Sequence, residues 1–256
     1  MRVALVVNRV TDDIHANMAS ILKMASQAAE DAADLILFPE AALTGLTNCG
    51  DPARDLPLGV EIPGPATDIL AGSAKAHGIW LAIGLLEREG FCLYDSAILL
   101  SPEGDIVLKH RRIQPQWHAR DADPSVYRQG TELSKVETPF GSLAFMICGE
   151  LFDDGLVSRV RELKPDWLLF PFARCFGDFS WDQQRWDREE SPDYLARVQL
   201  VGVTAFMVNY LADSSLNGGS FGGAMVVTGE GKVIKSMPLG ESGMLLVETD
   251  SIRGLP

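Results

Sequence analysis

Three residues far apart in the chain have side chains and settings suited to covalent chemistry. Cys148 closes the apolar run SLAFMIC (142–148) and is followed by Gly149, Glu150 and a stretch with helical spacing. In parallel α/β sheets, ligands bind at the carboxyl ends of strands, where the next helix starts. A thiol there gains from the positive end of that helix and can react as thiolate. Glu40 follows the run LILF (35–38) and Pro39. A carboxylate at the dry end of a buried strand is costly unless something uses it, and burial raises its pKa towards general-base work. Arg112 ends DIVLKHRR (105–112), shortly before a break at Pro115. A cation there can pair with a carboxylate or hold a developing oxyanion. Each residue also has a plainer reading: Cys148 as an inert core residue, Glu40 as a carboxylate bonded to backbone amides, and Arg112 as part of an exposed basic cluster with Lys109, His110 and Arg111. Cys49, Cys92 and Cys175 keep the plain reading.

Other motifs fail on context. Gly218-Gly219-Ser220-Phe221-Gly222 fits G-x-S-x-G, but a loop precedes it, a strand follows it, and the last His of the chain is His118. A nucleophile elbow needs strand, Ser, helix and a later His; these glycines instead let a loop turn into a strand. They open no helix, so a dinucleotide fingerprint fails too. His15, His77, His110 and His118 show no ligand spacing, which speaks against a metal site and assigns them to the surface or to packing.

The elements that must hold the three residues are strands alternating with helices. Short apolar runs recur: 2–7, 35–38, 80–87, 96–101, 105–112, 142–148, 167–172, 204–209, 223–228, 232–237 and 244–249. Several are apolar at nearly every position, as strands covered on both faces are. Helical spacing appears in 12–32, in 64–77 closed by Gly78, around Leu151–Leu163 and around Tyr194–Val201. SAILLSPEGDIVLK (96–109) and GAMVVTGEGKVIK (223–235) both read strand, Glu-Gly turn, strand. Such an echo at half-length, with no linker between, predicts two similar α/β halves packed into one domain over 1–256.

Composition narrows the function. Of 256 residues, 46 % are hydrophobic and 22 % charged, a globular balance. Twenty-two Lys and Arg against 35 Asp and Glu give a formal charge of −13. That surface repels phosphate backbones and anionic lipid, so neither nucleic acid nor membrane is expected as a partner. The four Cys form no C-x-x-C pair, and no stretch has the length of a spanning helix. The expectation is a reduced, cytoplasmic protein.

A base, a cation and a thiol at three strand ends, in this order, resemble the nitrilase superfamily of carbon–nitrogen hydrolases. The matching pieces are FPEAALTG (38–45), IGLLE and YDSAILLSPEGDIVLKHRRI (83–113), TPFGSLAFMICGELF (138–152), DWLLFPFA (166–173) and FGGAMVVTGEGKV (221–233). The resemblance implies an αββα sandwich and a Glu–Lys–Cys triad, with the base at Glu40 and the nucleophile at Cys148. It also implies that a small amide or nitrile is cleaved through a thioester with no cofactor or metal, and it suggests a homodimer. The sequence departs from the family pattern at three places. Arg112 stands where the family has Lys, Asp123 where it has a second Glu, and Gly149-Glu150 where it usually has Tyr-Asp. Arg is bulkier than Lys and never gives up its proton. A larger cation beside a shorter acid suggests an Arg112–Asp123 contact kept within one volume. Gly149 is expected to lend its backbone N–H to the oxyanion. Arg174, Phe176 and Trp181 are candidates for the substrate pocket, Arg174 for a substrate carboxylate; residues 174–194 equally read as a loop packing its aromatics on its own sandwich. A catalytically impaired binding or assembly protein on the same fold is the alternative function.

Overall fold

The computed structural model describes residues 1–216 and 219–252; Gly218 of the rejected elbow motif and residues 253–256 lie outside them. Two six-stranded sheets carry the fold. The first joins β1 (Arg2–Val7), β3 (Leu35–Leu37), β4 (Trp80–Glu89), β5 (Cys92–Leu100), β6 (Ile106–Arg111) and β14 (Gly243–Glu248) in the order β14-β1-β3-β4-β5-β6. The second joins β7 (Lys135–Thr138), β8 (Gly141–Phe145), β9 (Trp167–Phe172), β10 (Ala205–Asn209), β12 (Ala224–Val227) and β13 (Val233–Met237) in the order β13-β12-β10-β9-β8-β7. β2 (Arg9–Val10) and β11 (Leu211–Ala212) form a small parallel pair.

The repeated hairpins are real and mark a repeated plan. β1-β3-β4 run parallel and continue antiparallel into β5-β6, just as β8-β9-β10 run parallel and continue antiparallel into β12-β13. Each half then hands a strand to the other sheet. β7 follows the first half and pairs with β8; β14 follows the second and pairs with β1.

Burial explains the near-continuous apolar runs. In β1, Val3, Leu5 and Val7 face the second sheet and meet Leu143, Phe145, Leu169, Phe206 and Val208, while Ala4 and Val6 face the helices Ile14–Glu30 and Pro65–His77 through Ile21, Ala25, Leu70 and Ala74. On the far side, Leu168, Phe170 and Met207 pack under helices Asp154–Leu163 and Ser191–Val201 through Val157, Val160, Tyr194 and Val198. The layers are therefore α, β, β, α, and a strand between two layers has no polar face. Gly78 ends Pro65–His77 with φ +65°, a left-handed cap that a residue with a Cβ adopts only at a cost.

Two local expectations are corrected. The strand around 142–148 ends at Phe145, and no α-helix starts at Cys148. A 3₁₀ turn, Cys148–Phe152, comes first, and the helix begins at Asp154 with Asp153 accepting from the Leu156 N–H. That helix therefore starts six residues past the thiol, with a carboxylate already bonded to one of its first N–H groups. The polar edge strand KVET (135–138) also forms; its stability comes from pairing with β8, which its own pattern does not announce.

Candidate active site

Glu40, Arg112 and Cys148 converge between the sheets. Glu40 lies past the end of β3, where the chain keeps following β4: the Phe38 N–H donates to Ala82 O at 2.8 Å and the Gly84 N–H to Pro39 O at 3.1 Å. Gly84 permits this approach, because a Cβ there would stand 2.6 Å from both Glu40 Cα and Pro39 O. Arg112 follows β6, whose residues alternate. Lys109 and Arg111 point outward to Glu87, at 2.8 and 2.6 Å, while His110 and Arg112 point inward and are buried. The basic run is therefore an exposed Lys109, a half-buried Arg111 and two buried groups. The Arg112 backbone is pinned by Asp95 O at 2.8 Å and by the Gly130 N–H at 2.9 Å.

The Arg112 guanidinium is shared three ways. Nη1 donates to Glu40 Oε1 at 2.7 Å and to Asp95 Oδ2 at 3.3 Å, and Nη2 donates to Gln114 Oε1 at 2.7 Å. Glu40 and Asp95 are wholly buried and Arg112 nearly so. Burial pushes the Glu40 carboxyl up to about 8, with the adjacent Cys148 adding and Arg112 opposing. Burial, then the Glu40 charge, holds Asp95 well above the carboxylate range. Burial works against the Arg112 charge, but Glu40, Cys148 and Asp95 outweigh it and keep the guanidinium firmly protonated.

Cys148 is partly exposed, and its Sγ lies 3.8 Å from Ala173 O. Its φ is +47°, a left-handed conformation that costs a residue with a Cβ on the order of 1 kcal/mol or more. Glu150 holds the turn in place: its carboxylate accepts from Ile147 N at 2.6 Å, Ile113 N at 2.7 Å and bonds His110 Nε2 at 2.8 Å. One carboxylate therefore ties the backbone next to the thiol to the backbone next to the cation. His110 is a packing histidine, as expected.

The contact expected between Arg112 and Asp123 is absent. Asp123 is exposed and caps its own turn, accepting from the Ser125 N–H at 2.8 Å and the Ser125 hydroxyl at 2.7 Å. The acid that meets the guanidinium is Asp95, within YDSAILL. A lone Asp inside an apolar strand was the available signal, since burying a carboxylate without a partner is costly. Gly149 has a packing reason: a Cβ there would stand 2.7 Å from Arg112 Nη2 and 2.8 Å from Gln114 Oε1. The larger cation occupies the space that a side chain at 149 would fill.

The expected pocket residues do not come together. Arg174 is engaged by Glu190 through both Nε (2.8 Å) and Nη2 (2.5 Å), so its fork is not free for a substrate carboxylate. Phe176 is buried against Phe221, ring centroids 4.8 Å apart, with Arg185 over its face. It is core of the 174–194 loop. Trp181 is 55 % exposed, beside a shallow recess with Arg9 and Asp213. A cavity of about 630 Å³, lined by Asn48, Arg54, Ala173, Cys175, Tyr210 and Ser220, reaches the thiol only through Ala173, whose O lies 3.8 Å from Sγ; Cys148, Glu40 and Arg112 do not line it. A smaller cleft of about 250 Å³, bounded by Phe172, Trp186, Met225 and Leu239, does not include the cluster. Among the described residues, no group of three or more His, Cys, Asp and Glu could hold a metal ion, and no helix is long and apolar enough to cross a membrane.

Fold and cluster together define an αββα sandwich with an acid, a cation and a thiol gathered at one point between its sheets. The chain matches the sequence model of the carbon-nitrogen hydrolase family over residues 2–254 and belongs to that family. It is similar to an aliphatic nitrilase of Sinorhizobium fredii, 31 % identical over 156 residues covering 55 % of this chain and 50 % of that protein. Nitrilase 2 of Arabidopsis thaliana is 27 % identical over 158 residues, covering 55 % and 45 %. The chain spans about half the length of the curated relatives it matches. Among solved structures, a mutant of the Nesterenkonia AN1 amidase superposes with TM-score 0.78 at 22 % identity, covering 96 % of this chain and 89 % of that one. A carbon-nitrogen hydrolase from Helicobacter pylori G27 gives 0.82 at 14 %, covering 96 % and 87 %. These two likenesses establish the αββα fold.

Proposed function

We propose that the chain acts as one carbon–nitrogen hydrolase domain cleaving a small amide through a thioester on Cys148. The observation that carries this is the meeting of Cys148, Glu40 and Arg112 at a point no surface role requires. Arg112 ties down Glu40 Oε1 and leaves Oε2 buried without a hydrogen-bond partner. Oε2 has a lone pair for the thiol proton. The thiolate then attacks the amide carbon, and negative charge develops on oxygen. Of the two Nη2 hydrogens on Arg112, one is held by Gln114 and the other serves the oxyanion, with the Gly149 N–H as second donor. Glu40 returns its proton to the departing nitrogen, deprotonates a water, and that water releases the acid. Arg112 works here as a fixed charge, a role that never asks it to give up a proton.

An amide is favoured over a nitrile by the structural relatives. A cysteine-to-alanine mutant of the Nesterenkonia amidase binds butyramide, while the nitrilase names of the curated relatives keep nitriles in the test. The test is time-resolved intact-mass spectrometry with small aliphatic amides and nitriles. The expected result is an acyl adduct that forms and decays, absent in Cys148→Ala. No adduct with any substrate, despite intact folding, would favour the impaired binding protein instead.

A further inference from the structure

Asp95 has no place in the mechanism above, yet it is wholly buried in the middle of β5, a strand otherwise apolar from Ala97 to Leu100. Its Oδ2 approaches the same Arg112 Nη1 that holds Glu40 Oε1. Two carboxyls thus converge on one nitrogen where water does not reach. The charges around them are few. Glu40 comes from beyond β3, Arg112 from beyond β6 and Cys148 from beyond β8; Tyr194, on helix Ser191–Val201, and Tyr210, just past β10, feel Glu40 and Cys148. Glu150 is already matched by two backbone N–H groups and His110.

Arg112 therefore balances one negative charge, and a second would be buried without a counter-ion. Glu40 Oε2 and Asp95 Oδ1 are both buried without a hydrogen-bond partner, an arrangement that suits a carboxylate beside a carboxylic acid better than two carboxylates. The nearer contact of the guanidinium, 2.7 Å against 3.3 Å, selects Glu40 as the ionised member. We propose that Asp95 is a neutral carboxylic acid in the working form of the site, a positioning residue that donates its proton as a hydrogen bond to Glu40 and leaves Glu40 the single charge that balances Arg112. The direction in which burial and Glu40 drive the Asp95 proton affinity agrees. The catalytic meaning of this proton rests on the hydrolase reading above; its existence does not.

Infrared spectroscopy of the isolated protein tests it without any substrate. At about pH 9, roughly a unit above the Glu40 titration, one protonated-carboxyl C=O band should remain. It should move when aspartate carries ¹³C in its side-chain carboxyl, stay when glutamate does, and vanish in Asp95→Asn. Absence of the band, or its movement with labelled glutamate alone, overturns the proposal. A second readout is the pH dependence of Cys148 alkylation by iodoacetamide. Asn at position 95 is also neutral, so in Asp95→Asn the acid limb should stay within about half a pH unit. A fall of a unit or more would mean that an ionised Asp95 had been raising it, and would refute the proposal. If Asp95→Asn does not fold, the isotope experiment on the unmodified chain decides alone.

Discussion

Gly149→Ala should break the site through Arg112 and the Gln114 side chain bonded to it. The φ of Gly149 lies outside the left-handed region, so alanine adds a methyl without straining the backbone. That methyl would stand 2.7 Å from Arg112 Nη2 and 2.8 Å from Gln114 Oε1, against ordinary contacts of 3.4–4 Å. The guanidinium must retreat by roughly 0.7 Å, a distance that disrupts its 2.7 Å bonds to Glu40 and Gln114. Losing one buried hydrogen bond to a charged group costs about 1.5–3 kcal/mol. If that loss falls on the transition state, kcat/KM for a small amide drops about 10- to 150-fold. For a chain of this size the same cost lowers Tm by roughly 3–12 °C. Ammonia release, Cys148 alkylation followed by intact mass, and thermal unfolding read the three consequences. The decisive arm is the double variant. A lysine lacks the forked Nη2, so in an Arg112→Lys background Gly149→Ala should cost no more than about threefold, giving a coupling energy of at least ~1 kcal/mol. An equal loss in both backgrounds would show that the methyl acts elsewhere and would refute the packing argument.

The remaining predictions use other parts of the cluster. The rate of Cys148 alkylation should rise with pH through about 8, where Glu40 ionises; a limb in the ordinary carboxylate range would contradict its burial. Between pH 4.5 and about 8 folded Glu40 keeps a proton that the unfolded chain has released. Stability should therefore fall as pH rises across that window, and denaturant titrations of Glu40→Gln should show a flatter fall. Glu150→Ala strands two backbone donors and His110, so urea unfolding should register a loss of about 3 kcal/mol or more. Asp123→Asn, on an exposed turn, should change stability by less than about 1 kcal/mol and leave alkylation of Cys148 unaltered.

Much of the plan was legible in the chain. Continuous apolar runs announced strands covered on both faces, and the repeated Glu-Gly hairpin announced the two matching halves. Glu40 and Cys148 stood out because a polar or reactive group at the dry end of an apolar run needs a reason. All of these are local patterns, and local patterns survive in one dimension.

What the sequence could not say is which groups meet. Asp123 and Asp95 are both acids of the right size, and only the sheet order, with β5 beside β6, decides that Asp95 reaches Arg112 while Asp123 faces solvent. Likewise Gly84 and Gly149 are empty positions whose meaning is the atom that passes close by, Glu40 Cα in one case and Arg112 Nη2 in the other. Arg174 reads in one dimension as a free cation, yet Glu190, sixteen residues on, occupies it. Composition and periodicity determine which faces are buried, because the hydrophobic effect acts on each residue singly. The partners inside are set by distances of a few ångströms between segments far apart in the chain, and tertiary packing alone fixes those.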